Sequence, residues 1–150
     1  HLSNDWSNVI SLHNESRIRK EIHSDNFQLS KLLNSVSTLQ SSFAVEAVDV
    51  DGNCIAAGGF VYVNETTCLY SFGGQSRSKI SGIASVAMLS FAMEEARSHG
   101  VKTFDFGGSA DPGVDRFYKE FGATRVARAR LIYASWWLRP FLRFIRPDLT

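Results

Sequence analysis

Two glycine pairs carry the most suggestive spacing in the chain: Gly73-Gly74, which follows Phe72, and Gly107-Gly108, set between Phe106 and Ser109. Glycine lets a ligand approach the backbone closely and leaves N–H groups free to bind it. The same pairs also suit plain strand-to-loop turns. Asp105 precedes the second pair. If Phe104 and Phe106 face the core, alternation along a strand turns Asp105 to the opposite face. There it can act as a base or anchor the turn through backbone N–H groups, and an aspartate beside tight turns favours anchoring. Arg128 and Arg130 alternate onto one face of a further strand candidate, suited to an acidic ligand or to a solvated edge. His13, His23 and His99 show no metal spacing and are expected on surfaces. Cys54 and Cys68 fit neither a zinc spacing nor a disulfide framework and read as reduced apolar residues, so no metal is expected.

These residues need elements to hold them. Residues 1–40 read as helical: a short helix around Trp6, Val9, Ile10 and Leu12, then a second capped by Ser24-Asp25 that carries Phe27, Leu29, Leu32, Leu33 and Val36. The period then changes. Ala44–Val50 and Ile55–Val63 read as strands around the Asp51-Gly52-Asn53 turn. A third strand is expected over Thr67–Phe72, ending at Gly73-Gly74. A helix follows with Val86, Leu89, Ala92, Met93 and Ala96 on one face and Gly100 just past its end. Val101–Phe106 is the next strand. Asp111-Pro112 supplies an N-cap with proline at the first helical position. Val114, Phe117, Tyr118 and Phe121 stripe that helix, Gly122 stops it, and Thr124–Ala134 reads as a last strand.

This order predicts an α+β domain with a mixed sheet. The crossover from Thr67 to Phe106 should place two strands parallel and adjacent. Ligands of such sheets sit at the carboxyl ends of the parallel strands, which is where both glycine pairs are expected.

The chain has 150 residues and a net charge of +1, enough for one domain and too balanced for a dedicated nucleic-acid binder. No run approaches the roughly 18 apolar residues of a membrane span. The polar N-terminal stretch does not read as a signal peptide, so a cytoplasmic location is expected. The chain begins at His1 rather than Met, which leaves room for a neighbouring domain. From Thr124 to Thr150 there are six arginines against one acid, interleaved with Trp136, Trp137, Phe141, Phe144 and Ile145. Residues 136–146 are read as a docked helix with snorkelling arginines, with peripheral contact at the inner face of a membrane as the alternative.

The run from Tyr70 to Tyr133 resembles a GNAT acyltransferase domain, and more narrowly the FemAB-like branch and its relatives among polysaccharide-biosynthesis acetyltransferases. Met88 to Gly100 (MLSFAMEEARSHG) is similar to the helix of the cofactor-binding motif. Lys102 to Ser109 (KTFDFGGS) resembles the branch's strand with its Asp-Phe-Gly-Gly ending. Phe117 to Ala123 (FYKEFGA) resembles the next helix and its stop.

The resemblance implies the GNAT acyl-CoA N-acyltransferase fold, a mixed, mostly antiparallel central sheet flanked by helices with one parallel, splayed strand pair. It implies a donor, acyl-CoA or acetyl-CoA, in the cleft between those strands, lined by Phe72, Gly73, Gly74, Gly107, Gly108 and Ser109. Its pyrophosphate would sit on N–H groups at the start of the central helix. The family's loop, Gln/Arg-x-x-Gly-x-Gly/Ala, is matched by Lys79-Ile80-Ser81-Gly82-Ile83-Ala84, with Lys where Gln or Arg is usual, and Arg77 adds charge nearby. FemAB-like proteins use aminoacyl-tRNA instead and carry two such domains in tandem, so this chain would be a single domain or one half of such a pair.

The reaction implied is attack of an amine, on a sugar, polysaccharide or cell-envelope precursor, at the donor's carbonyl. Tyr118 matches the position where the family often places the acid that protonates the leaving thiolate, with Lys119 beside it. Asp105 and Glu46 are the candidate bases. The bland expectations are a core tyrosine, a turn anchor and a half-exposed strand residue. A non-catalytic GNAT-like module supporting a partner domain is the alternative function.

Overall fold

The computed structural model describes residues 1–3, 5–20, 26–108 and 111–126, with the backbone alone for 26–30. The Ser24-Asp25 cap, His23, Ser109, Arg128, Arg130 and the 136–146 segment lie outside the described residues, as does most of the expected last strand; Thr124–Val126 are irregular. The chain divides into two compact units, His1–Asp115 and Arg116–Thr150.

The first unit holds a five-stranded sheet of order β1-β2-β3-β4-β5. The elements run β1 (Leu2–Ser3), α1 (Ser7–Arg19), α2 (Asn26–Ser37), β2 (Ser42–Val48), β3 (Cys54–Asn64), β4 (Thr67–Gln75), α3 (Ser81–Ser98), β5 (Thr103–Asp105) and α4 (Pro112–Glu120). β1 to β4 pair antiparallel, and β4 pairs parallel with β5. The mixed, mostly antiparallel sheet is the expected one. The added strand β1 carries no sequence signal, since it is two residues long and is held by pairing with Val45 and Ala44.

Local chemistry explains most boundaries. Asp49 Oδ1 accepts N–H bonds from Asp51 at 2.9 Å and Asn53 at 2.8 Å, and Gly52 takes φ +84 in the same turn. Asn64 Oδ1 accepts the Thr66 N–H and closes the next hairpin. α3 ends at Gly100 and α4 at Gly122, both at positive φ, where side-chain residues are strained. Asp111 Oδ1 accepts the N–H of Gly113 at 2.9 Å and caps α4 ahead of Pro112.

The two sheet faces are packed by different helices. Adjacent strand residues point to opposite faces. A Cβ on Gly59 would overlap the Trp6 ring, so that face belongs to α1; one on Gly58 would lie 3.0 Å from Met88 Sδ, so the other belongs to α3. The α1 face is a cluster of Trp6, Val9, Leu12, Ala44 and Ala57, against which Val36 of α2 and Phe72 also pack. On the α3 face Phe60 contacts Phe43 of β2, Tyr70 of β4 and Phe104 of β5, at ring distances of 5.1, 5.2 and 5.9 Å. α3 buries Ser81, Ala84, Met88, Leu89, Ala92 and Ala96. The expected face is thus rotated: Val86 is exposed and Met88 takes its place in the core.

β4 corrects the sequence reading most. It does not stop at Phe72 but runs through the glycine pair to Gln75, with Gly73 opposite Gly58 and Gly74 opposite Ala57. Its register shifts between Phe60, opposite Tyr70, and Gly59, opposite Phe72, which leaves Ser71 as a bulged extra residue. The bulge flips the strand's facing. Tyr70 joins the aromatic cluster on the α3 face, while Phe72, two residues on, meets α1.

Candidate active site

β4 and β5 pair only from Thr67 opposite Thr103 to Leu69 opposite Asp105. Beyond that point β5 has ended while β4 continues through Gln75. The parallel pair therefore opens at the carboxyl ends of its strands, where ligands of such sheets sit. Gly107 and Gly108, at φ +74 and +80, turn the chain away after β5. A Cβ on Gly107 would lie 3.3 Å from the Tyr70 carbonyl oxygen, so this turn stays close to β4 where the opening begins.

The free edge of β4 can be read from its ladder. Antiparallel partners exchange hydrogen bonds only at alternate residues. Ser76 donates its N–H to the Ile55 carbonyl at 2.8 Å. Gln75 and Gly73 therefore turn their backbone groups away from β3, toward the opening. Both carbonyls meet α1: His13 Nδ1 lies 3.2 Å from the Gly73 oxygen, and Arg19 Nη2 donates to the Gln75 oxygen at 2.8 Å. Lys20, just past α1, donates to Asp111 Oδ2 at 2.8 Å. One helix thus grips both the free β4 edge and the segment that follows β5.

The glycine pair of β4 has a packing cause. A Cβ on Gly74 would overlap the Leu12 carbonyl of α1, and one on Gly73 would overlap the Tyr70 hydroxyl. Neither takes positive φ.

The loop from Ser76 to Ile80 delivers β4 into α3. Ser81 organises it: its hydroxyl donates within reach of the Ser76 and Ser78 carbonyls, at 2.6 and 2.8 Å, and accepts the Ser78 N–H at 2.9 Å. Ser81 is buried, while Arg77, Lys79, Ile80, Gly82 and Ile83 are exposed. Ala84 is buried and donates its N–H to Ile80. Among the described residues no acceptor outside the helix meets the N–H groups of Gly82 and Ile83, and the space around a Cβ on Gly82 is open. A first turn with bare N–H groups, an open approach and two flanking cations fits a phosphate chemically.

The remaining candidates fall in different places. Asp105 Oδ1 accepts the Gly107 N–H at 2.8 Å, holding the turn after β5. Glu46 is buried on the α1 face, not half-exposed as expected, and its Oε2 accepts from Asn8 Nδ2 at 3.0 Å. Tyr118 lies in the second unit and is half-buried; burial pushes its phenol pKa up, so the group stays a proton donor. Cys54 and Cys68 are unpaired thiols, each pushed up to about 11 by burial, with Glu46 adding to the effect on Cys54. No three His, Cys, Asp or Glu among the described residues group around a metal position, and no helix among them is long and apolar enough to cross a membrane.

His13 is the residue that sequence reasoning misplaced. It is half-buried, edge-on to Phe72 with ring centroids 5.6 Å apart. Burial lowers its pKa, and Arg17 one turn along α1 lowers it further, against the opposing bond to Gly73. Arg17 Nη2 and Ser76 Oγ are themselves buried with no hydrogen-bond partner among the described residues. The spacing of Val9, Leu12, His13 and Ser16 could have flagged His13 as inward-facing.

No protein-family model and no curated protein sequence matches the chain. Solved structures do. A point mutant of protein BH1408 from Bacillus halodurans superposes with a TM-score of 0.67 at 14% identity, over 90% of this chain and 98% of that one. A ribosomal-protein-alanine N-acetyltransferase from Brucella melitensis biovar Abortus gives 0.61 at 16% identity, over 90% and 96%. An aminoglycoside 6'-N-acetyltransferase from Acinetobacter baumannii gives 0.59 at 14%, over 89% and 94%. With its antiparallel strands, its one parallel pair and the helix between the members of that pair, the chain has the fold of the GNAT acetyltransferases.

Proposed function

We propose that the protein is an N-acyltransferase that takes its acyl group from acyl-CoA, acetyl-CoA being the simplest donor, and passes it to a primary amine. The observation that carries this reading is the opening between β4 and β5 beside a bare α3 N-terminus. The donor supplies an activated thioester carbonyl. The N–H groups of Gly82 and Ile83, with Lys79 and Arg77, hold its phosphates; Gly107 and Gly108 keep the far side of the opening free of side chains. By its resemblance to the family's acid position, Tyr118, a phenol that burial keeps protonated, is the candidate donor of the proton for the leaving thiolate.

The acceptor we infer is an amine on a sugar, a polysaccharide or a cell-envelope precursor. The FemAB-like sequence features support this, and one similar fold belongs to an enzyme named for an aminoglycoside, itself an amino sugar compound. The same features keep aminoacyl-tRNA as the rival donor and a tandem partner domain as the rival organisation. The test is release of free thiol from acetyl-CoA with a panel of amino sugars, aminoglycosides and peptide amines. Turnover with any of them supports the reading, and thiol release should fall sharply in Tyr118→Phe.

A second reading, a non-catalytic module, draws on a specific observation: both candidate carboxylates already have hydrogen-bond partners, Glu46 in Asn8 and Asp105 in the Gly107 N–H. CoA binding without turnover across that panel would favour it.

A further inference from the structure

The geometry points to His13 as the group that accepts the amine's proton in this reaction, an inference that rests on the acyltransferase reading above. A carbonyl oxygen only accepts, so the contact between His13 Nδ1 and the Gly73 oxygen places the ring proton on Nδ1. In the neutral ring the lone pair then lies on Nε2. Nε2 has no partner among the described residues. The ring is steered from two sides, by the Gly73 carbonyl and by the edge-on Phe72 ring. Gly73 is also a residue that turns its backbone groups toward the opening, and Phe72 owes its facing to the bulge at Ser71. Bulge, aromatic and carbonyl together fix one imidazole at the free edge of β4.

The electrostatics suit a base. Arg17, on the same helix, is the charged group acting on the ring; β4 brings only the uncharged Phe72 and Gly73 against it. Burial and Arg17 both disfavour the imidazolium, so His13 is neutral and ready to take a proton near neutral pH. The step balances. The amine nitrogen forms a bond to the acyl carbon, and the C–S bond breaks. The nitrogen's extra proton moves to Nε2 and then to water, and the thiolate gains a proton to leave as a thiol.

The test is His13→Asn. Its side-chain amide can still donate to the Gly73 oxygen but carries no basic nitrogen. We expect CoA affinity within about twofold of wild type by calorimetry. We expect kcat with the best amine to fall by about 100-fold or more, a usual size for loss of a general base. The acidic limb of the kcat/KM–pH profile should disappear. In wild type, the His13 imidazole should titrate in NMR below the usual value, at the pH of that limb. Activity within about threefold of wild type with the limb retained would overturn the proposal. Loss of CoA binding together with activity would also overturn it, marking His13 as a structural residue. Wild-type protein that binds CoA but turns over no amine would overturn the acyltransferase reading itself, and this inference with it.

Discussion

The Lys20 ammonium lies 2.8 Å from Asp111 Oδ2, joining the end of α1 to the residue that caps α4. Lys20, the Gly113 N–H and the Val114 N–H all donate to the Asp111 carboxylate. All three hold its carboxyl below the usual value of 3.8, Lys20 most. The pair is exposed, so Lys20→Ala should lower Tm only slightly, whereas Asp111→Ala, which also removes the cap, should lower it more. A depressed carboxylate stabilises the fold above its unfolded pKa and loses that contribution as pH falls through the folded one. The difference in Tm between Asp111→Ala and wild type should therefore shrink below about pH 4, as thermal melts across that range would show.

His13 sets the opposite residue type under the same rule. Its pKa is lowered from 6.5, mainly by burial, so the unfolded chain binds its proton more readily. Stability from the neutral ring is full above the unfolded value and is lost as pH falls through the folded one. Thermal melts between about pH 7.5 and 5 should show wild type losing more stability than His13→Asn.

Two glycines should respond oppositely to alanine. At Gly74 the added methyl meets the Leu12 backbone, which cannot swing aside like a side chain. Gly74→Ala should cost roughly 1–3 kcal/mol, a typical overpacking penalty. At Gly82 the space is open and the residue is helical, so Gly82→Ala should raise stability by up to about 1 kcal/mol. Urea unfolding of both variants decides the sign and order.

The thiols should be silent in the folded protein. Cys54 and Cys68 are each pushed up to about 11 by burial, leaving little thiolate at neutral pH. Alkylation at about pH 7.5 should be slow in buffer and complete for both in denaturant, as mass spectrometry would count. Rapid native labelling of Cys68 would contradict its fully buried place on β4.

What the sequence made legible was local. Gly52, Gly100, Gly122 and Asp111-Pro112 mark boundaries because a single residue's φ or side chain settles each one. The parallel pair followed from the strand–helix–strand order, since a crossover of that length admits little else. What it hid depends on register between strands distant in sequence. The bulge at Ser71 exists only relative to β3, so neither the continuation of β4 through Gly74 nor the facing of Phe72 could be read along the chain. His13 was misplaced for the same reason: its partners lie 60 residues away. Glu46 looked half-exposed by strand alternation, yet α1 covers that face and brings Asn8 to its carboxylate. The α3 N-terminal loop was visible as a motif, while the role of Ser81 in folding it was not.

The proposed function stands on a CoA donor binding the opening through the first turn of α3. The direct measurement is calorimetric titration of the protein with CoA and acetyl-CoA, repeated on Lys79→Glu and Gly82→Asp. One-to-one binding is expected, weakened by either substitution by at least about tenfold, or 1.4 kcal/mol. No detectable binding, or binding that neither substitution changes, would contradict it.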